Sequence, residues 1–434
     1  MSEMKIIELE KLKKTEREAL CRRGTEVSEA SEKAKGIIEE VRKGGDEAVI
    51  ECERRFSGIE IEKLEVGEEV KEAFGKIDEG LLNVMKRAKR NIEKFHKMQM
   101  PREFEVEIEK GVRAGRMVVP LETAGLYVPA GKAVYPSVAL MLSIPAKIAG
   151  VKEIIACSPA GKDGKMNEAT IVALKMCGVN RIFKCGGAQA IAAMALGTET
   201  IPKVEVIAGP GGPFVASAQM LLKEEVKIEF LPGPSEGMVL ADKSANARIV
   251  AADVLSEAEH GPDSAGVLVT DSKELAQEVK KEFEGMVALL PEERRKYVEK
   301  NKRKYSFIAL AQSFEDAIRF ANEYAVEHLQ VNCKNPEKVA RKIRNAGTIC
   351  IGKYSPITAG NFIAGPNAVL PTSGYAKRFS GVSVETFLKK PTIEIVSREG
   401  LERLRKDLEF FAEFEGFPAH KNSVSVRFEQ KIRK

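Results

Sequence analysis

Between Gly125 and Gly209 short apolar runs, GLYVP, EIIACSP, RIFKC and VEVIAG, alternate with apolar helical stretches such as PSVALMLSIPAKIAG and GAQAIAAMALG. Strands that are apolar at every position must be covered on both faces, and helical crossovers between them supply that cover. The pattern restricts the chain to an α/β fold built on a parallel sheet. A second series, EGMVLAD, GVLVTD, FIALAQ and GTICIG, repeats it between residues 236 and 352, so two α/β domains of similar build are expected. At 434 residues the chain is long enough for both.

The flanks read differently. Residues 1–24 mix Lys and Glu around scattered apolar positions and predict an N-terminal helix, not a signal peptide. The stretches VSEASEKAKGIIEEVRKGG and LLNVMKRAKRNIEKFHKMQMP have helical spacing, and EFEVEIEKGVRAGRMVVPLE alternates around Lys110-Gly111 as a hairpin with one wet face. From Gly352 to Gly381 periodicity disappears in a glycine- and proline-rich stretch too long for a plain connector, which predicts a functional loop. Residues 381–434 return to charged helix with too little apolar area to fold alone, so this tail should dock on something. We divide the rest into a discontinuous domain, 25–124 plus 236–380, and an inserted one, 125–235.

Several classes of function are excluded. Basic and acidic residues, 69 against 64, are spread along the chain without a basic tract, which argues against nucleic acid. No apolar window is long enough for a membrane helix, and the cytoplasm is the expected compartment. Seven scattered cysteines with no C-x-x-C spacing argue against both a disulfide framework and a thiolate zinc site. GLYVPAGKA has one residue too many for a phosphate loop, and no G-x-G-x-x-G occurs. The expected ligand is a small molecule.

Four histidines are present. His96 lies on a charged helix as a surface or packing residue. His260 follows Glu257 by three positions in SEAEHGPD, at the end of a helical run stopped by Gly261-Pro262; the pair could share a cation, although a His merely capping the helix end is the commoner case. Glu327 and His328 stand together before a short strand, where alternation would send them to opposite faces, and His420 sits in EGFPAHKN. CGGAQA and AGPGGPF each follow a strand and open a helix, where backbone N–H groups can meet an anion.

Together GLYVPAGKAVYPS, KCGGAQAIAAMALGT, AGPGGPFVASA, LPGPSE, LSEAEHGPDS, EHLQV, SPITAG, NAVLPT and EGFPAHKN resemble, in order and along the whole chain, the histidinol dehydrogenase family. The resemblance implies a homodimer of two Rossmann-like domains per subunit, with the C-terminal tail reaching into the partner's active site. It also implies oxidation of an amino alcohol to the acid in two NAD-dependent hydride transfers through a retained aldehyde. By motif, His328 would take the alcohol proton and Glu327 would help activate water. A neutral His has the pKa such a base needs. Tyr127 and Gln189 match NAD-contacting positions, Ser235 and Glu415 match substrate contacts, and His260 and His420 match zinc ligands.

This chain departs from the family at four positions. Glu257 replaces a Gln zinc ligand and Asn361 an Asp, an exchange that keeps the charge sum, so a zinc site of Glu257, His260, Asn361 and His420, with His328 beside the substrate, is expected. Ala368 replaces a substrate-side His and Gly212 an Asn of the NAD pocket, and both changes remove polar contacts. The leading reading is a zinc- and NAD-dependent dehydrogenase acting on L-histidinol. A paralogue oxidising another small amino- or sulfo-alcohol is the alternative, and a non-catalytic binding relative is opposed by the presence of Glu327, His328, Ser235 and Glu415.

Overall fold

The structure is a computed structural model, and it describes residues 3–21, 27–131, 133–229 and 233–429. The chain divides into two compact units, Met1–Met100 with Leu121–Phe387, and Pro101–Pro120 with Leu388–Lys434.

The first unit contains two parallel sheets. The larger has the order β1-β11-β10-β9-β12-β13, from β1 (Lys5–Glu8), β9 (Glu236–Ala241), β10 (Ala265–Thr270), β11 (Phe307–Leu310), β12 (His328–Asn332) and β13 (Thr348–Ile351). The smaller, β7-β6-β5-β8, consists of β5 (Thr123–Tyr127), β6 (Glu153–Ser158), β7 (Arg181–Lys184) and β8 (Val206–Ala208). Strands β9 and β10 are buried at every position, as their unbroken apolar runs require.

The expected N-terminal helix over 1–24 gives way to strand at Lys5–Glu8, which pairs with β11; the free edge of the sheet overrides local propensity. Helix α1 (Lys14–Cys21) follows, while Met1, Ser2 and Arg22–Gly24 lie outside the described residues. Helix α2 (Val27–Ser57) bends at Gly45, whose φ of 52° breaks the helical run. With α7 (Gly187–Leu196) and α8 (Pro213–Leu221) it covers one face of the smaller sheet. Helices α3 (Glu69–Lys76), α4 (Glu79–Lys97), α5 (Pro136–Ala149) and α6 (Glu168–Met176) pack in a chain of neighbours, α3 on α6, α6 on α5 and α5 on α4.

On the larger sheet, α9 (Ala247–Ala258) and α10 (Lys273–Leu289) build the core of one face, with α11 (Glu292–Asn301) beside α9. Helices α12 (Phe314–Tyr324) and α13 (Pro336–Ala340) lie over the other. Asn246, Ser272 and Ser313 cap α9, α10 and α12 through their side-chain oxygens. The aperiodic stretch after Gly352 holds a six-residue helix, α14 (Ile357–Phe362), too short for a period to show.

In the second unit, β2 (Phe104–Glu109) and β3 (Val112–Arg116) form the expected hairpin, turning at Gly111 with φ 82°. β15 (Thr392–Val396) adds to β3, and the short β4 (Val119–Pro120) pairs with β14 (Leu388–Lys389). Helices α15 (Arg398–Phe414) and α16 (Pro418–Ser425) pack on each other; residues 430–434 of the tail lie outside the described residues.

Candidate active site

Strand β12 opens with His328, which stands opposite Gly237 of β9 and Thr348 of β13. Glu327 lies just ahead of the strand and is not held to its alternation. Its carboxylate bends to within 3.5 Å of His328 Nδ1 and accepts a 2.9 Å hydrogen bond from the Glu236 N–H. The expected divergence of the two side chains is therefore not observed, because only His328 obeys the pleat.

Glu257, in the last turn of α9, is 1% exposed and reaches the same place. Gly237 makes that possible: a Cβ there would fall 2.4 Å from Glu257 Cγ. Helix α9 ends at Ala258, but Glu259 keeps helical dihedrals, so His260 Nε2 still comes to 3.8 Å from Glu257 Oε2. His328 Nδ1 is also 3.8 Å from that oxygen. From α14, Asn361 Nδ2 donates to Glu257 Oε1 at 3.0 Å. Glu257 Oε2, Asn361 Oδ1 and both ring nitrogens of His328 have no hydrogen-bond partner among the described residues.

Charge and burial compete at this cluster. Burial pushes the Glu327 carboxyl above its usual range, against the pull of His328. Burial also presses the His328 imidazole down, but the Glu327 and Glu257 carboxylates together overcome it and raise it to about 9. The neutral imidazole expected from sequence thus needs positive charge near Glu257 to offset one of the carboxylates. The donor set suits such a charge. Glu257 Oε2 and Asn361 Oδ1 are buried without a partner among the described residues, and His260 Nε2 stands 3.8 Å from the former, so carboxylate, imidazole and amide-oxygen donors of the kinds that zinc takes lie on neighbouring side chains. Among the described residues no three His, Cys, Asp or Glu side chains form a metal cluster; a zinc held here would need the Asn361 amide oxygen as well.

Other positions fall elsewhere. Ser235 precedes β9, where its carbonyl accepts from Ala265 N–H at 2.9 Å; Leu231 and Pro232 of the same motif lie outside the described residues. Glu415 and His420 belong to the second unit, where both side chains are exposed and the His420 ring lies 5.1 Å from that of Phe417. His96 is fully buried; its ring bonds the Ile92 carbonyl at 2.9 Å and stands 3.2 Å from the Asn367 amide.

At the C-terminal edge of the smaller sheet, the Tyr127 hydroxyl accepts from Gly187 N–H at 3.1 Å. Gln189 Nε2 donates to Glu53 Oε1 at 2.8 Å, and the same oxygen accepts from Gly186 N–H at 2.7 Å. Sequence reasoning missed Glu53, whose only signal was a carboxylate at a buried position of α2.

The histidinol dehydrogenase family model matches residues 20–428. The chain belongs to this family. Histidinol dehydrogenase of Methanothermobacter thermautotrophicus is 44% identical over 90% of this chain and 92% of its own length, and that of Archaeoglobus fulgidus is 42% identical over 94% and 98%. A crystal structure of histidinol dehydrogenase from Elizabethkingia anophelis superposes with a TM-score of 0.92, at 34% identity and 99% coverage of both chains. At the departures of this histidinol dehydrogenase family member, Gly212 caps α8 with open space where a side chain would stand, and the Ala368 N–H lies 3.3 Å from Met141 Sδ.

Proposed function

We propose that this chain oxidises L-histidinol through a retained aldehyde to L-histidine, as a step of histidine biosynthesis, with NAD as the hydride acceptor in both stages. The observation that carries the reading is the buried cluster of Glu327, His328, Glu257 and Asn361, in which Glu257 Oε2, Asn361 Oδ1 and both His328 ring nitrogens have no hydrogen-bond partner among the described residues. A fold that leaves so many buried polar atoms unpartnered does so for a ligand.

In this reading His328 accepts the alcohol proton as hydride leaves the adjacent carbon. Glu327, held by the Glu236 N–H, takes a proton from the water that adds to the aldehyde before the second hydride leaves. One alcohol, one water and two NAD+ give one carboxylic acid, two NADH and two protons, so each hydride transfer needs a base for a proton leaving the oxygen on the reacting carbon. Glu257, His260 and Asn361 would hold zinc with His420 of the partner subunit, and the ion would supply Lewis acidity at the alcohol oxygen. Ser235 and the partner's Glu415 would bind the amino alcohol, and Tyr127 and Gln189 would position NAD.

The second unit's surface supports the dimer. Phe104, Val106 and Ile108 take alternate positions on β2 and are all exposed, and Phe410, Phe411 and Phe414 of α15 are each more than half exposed. So large an apolar surface suits the tail-exchanged homodimer, with 25–124 plus 236–380 and 125–235 as the two domains of each subunit. No helix among the described residues is long and apolar enough to cross a membrane.

The deciding test counts NADH formed per L-histidinol consumed by the zinc-loaded dimer. Two per alcohol is expected. No turnover by zinc-loaded, NAD-bound protein would favour the second reading, a paralogue acting on another small polar alcohol, which the Ala368 replacement motivates.

A further inference from the structure

Strand β12 carries a longer row of buried polar side chains than its neighbours β9 and β13. It lies between β9 and β13 and every residue is buried, yet His328, Gln330 and Asn332 put polar side chains at alternate positions, hence along one face. Asp253 and Glu257, one turn apart on α9, are buried carboxylates that face this row, Glu257 at 3.8 Å from His328 Nδ1 and Asp253 beside the Gln330 amide. Gln330 is 0% exposed, and neither its amide nitrogen nor its amide oxygen has a partner among the described residues. Asp253 Oδ2 and Asn332 Nδ2 are equally without one.

Donors and acceptors are both left over, which is the requirement of water and not of a cation alone. The spacing agrees. Residues two apart on a strand stand roughly 6.5–7 Å from each other, and one water joins groups about 5.5 Å apart, a separation that flexible side chains reach easily.

We propose that Gln330 is a positioning residue for His328, acting through ordered water between β12 and α9 that fixes which ring nitrogen of His328 faces the substrate. Asp253 anchors the outer side of the same water. The inference rests on reading His328 as the base of L-histidinol oxidation.

Two variants and a crystal structure test it. Gln330→Met replaces the amide by an apolar side chain of similar length; kcat for L-histidinol should fall about 10- to 100-fold with KM and bound zinc little changed, the size usual for an outer-shell partner. Its thermal midpoint should fall little, because the amide has no partner at full hydrogen-bonding geometry among the described residues and only the Asp253 carboxyl beside it loses a favourable neighbour. Gln330→Asn, which keeps the amide and leaves room for one more water, should recover most of kcat. A high-resolution structure of the wild type should show water within hydrogen-bonding distance of both Gln330 and His328. An unchanged kcat in folded Gln330→Met, or a dry Gln330 amide, overturns the proposal. Wild-type protein that fails to oxidise L-histidinol would instead sink the functional reading, and the crystallographic result then decides the role of Gln330 alone.

Discussion

The two parallel sheets place polar side chains at opposite ends of their strands and treat them in opposite ways. After β5 and β7, Glu53, Gln189, Tyr127 and the N–H groups of Gly186 and Gly187 bond one another. At the start of β12, Glu257 Oε2, Asn361 Oδ1 and both nitrogens of His328 bond nothing in the described chain. A closed network stabilises the fold, whereas an open one stores unfavourable energy until a ligand arrives. Substitutions at the two ends should therefore have opposite signatures: stability lost at the closed end, activity lost at the open one.

The largest effect belongs to the open end. His328→Asn should lower L-histidinol turnover by roughly 10²–10⁴-fold, the contribution of a positioned general base, without lowering the unfolding midpoint. Activity kept within about tenfold of wild type would remove His328 from the chemistry.

Next comes a direct contrast of two buried carboxylates. Glu53→Ala strands the Gly186 N–H and the Gln189 amide, two buried donors, and should cost roughly 2–4 kcal/mol in urea unfolding. Glu257→Gln in metal-free protein should cost little or stabilise, since it removes a buried carboxylate that has an unpartnered oxygen, while bound zinc per subunit should drop. Equal destabilisation by the two would mean the open cluster is held together by contacts other than these.

How much of this the sequence displayed follows the same division. Apolar runs announced both parallel sheets, because double-sided burial leaves a local signature, and Gly-Pro announced the end of α9. Glu257, His260, Glu327, His328 and Asn361 could be named from motifs, but not their meeting, which depends on Gly237 leaving space for Glu257 and on Glu327 lying outside the strand. Glu53 and Gln330 were invisible for the same reason: their partners and their lack of partners are tertiary. Lys5–Glu8 misled because the edge that recruits it is formed by residues about 300 positions away.

A pH experiment sharpens the contrast. Burial raises the Asp253 carboxyl from its usual 3.8 to about 6, against the pull of the Gln330 amide. A group whose folded value is raised favours folding fully only below its unfolded value, and that contribution is lost as pH rises through about 6. Asp253→Asn should therefore stabilise the protein by roughly 1–3 kcal/mol near pH 7 and by nothing near pH 3, as read from unfolding midpoints at the two values. A gain that is the same at both would show that Asp253 has a closed set of partners after all.

The smallest effect should come from Tyr127→Phe. The hydroxyl is buried and accepts one hydrogen bond, from Gly187 at the first position of α7, where a helix N–H has no partner within its own helix. Losing that acceptor should cost about 1 kcal/mol, and, because the ring and its packing stay, affinity for NAD should weaken only a few-fold. The two readouts separate two roles. If the hydroxyl only closes the turn ahead of α7, stability and NAD affinity fall together by those modest amounts. If it touches the cofactor directly, affinity measured by titration falls by more than about tenfold while stability barely moves. In that case the closed end of the smaller sheet opens to its ligand as the other end does, and the division between the two sheets becomes one of degree.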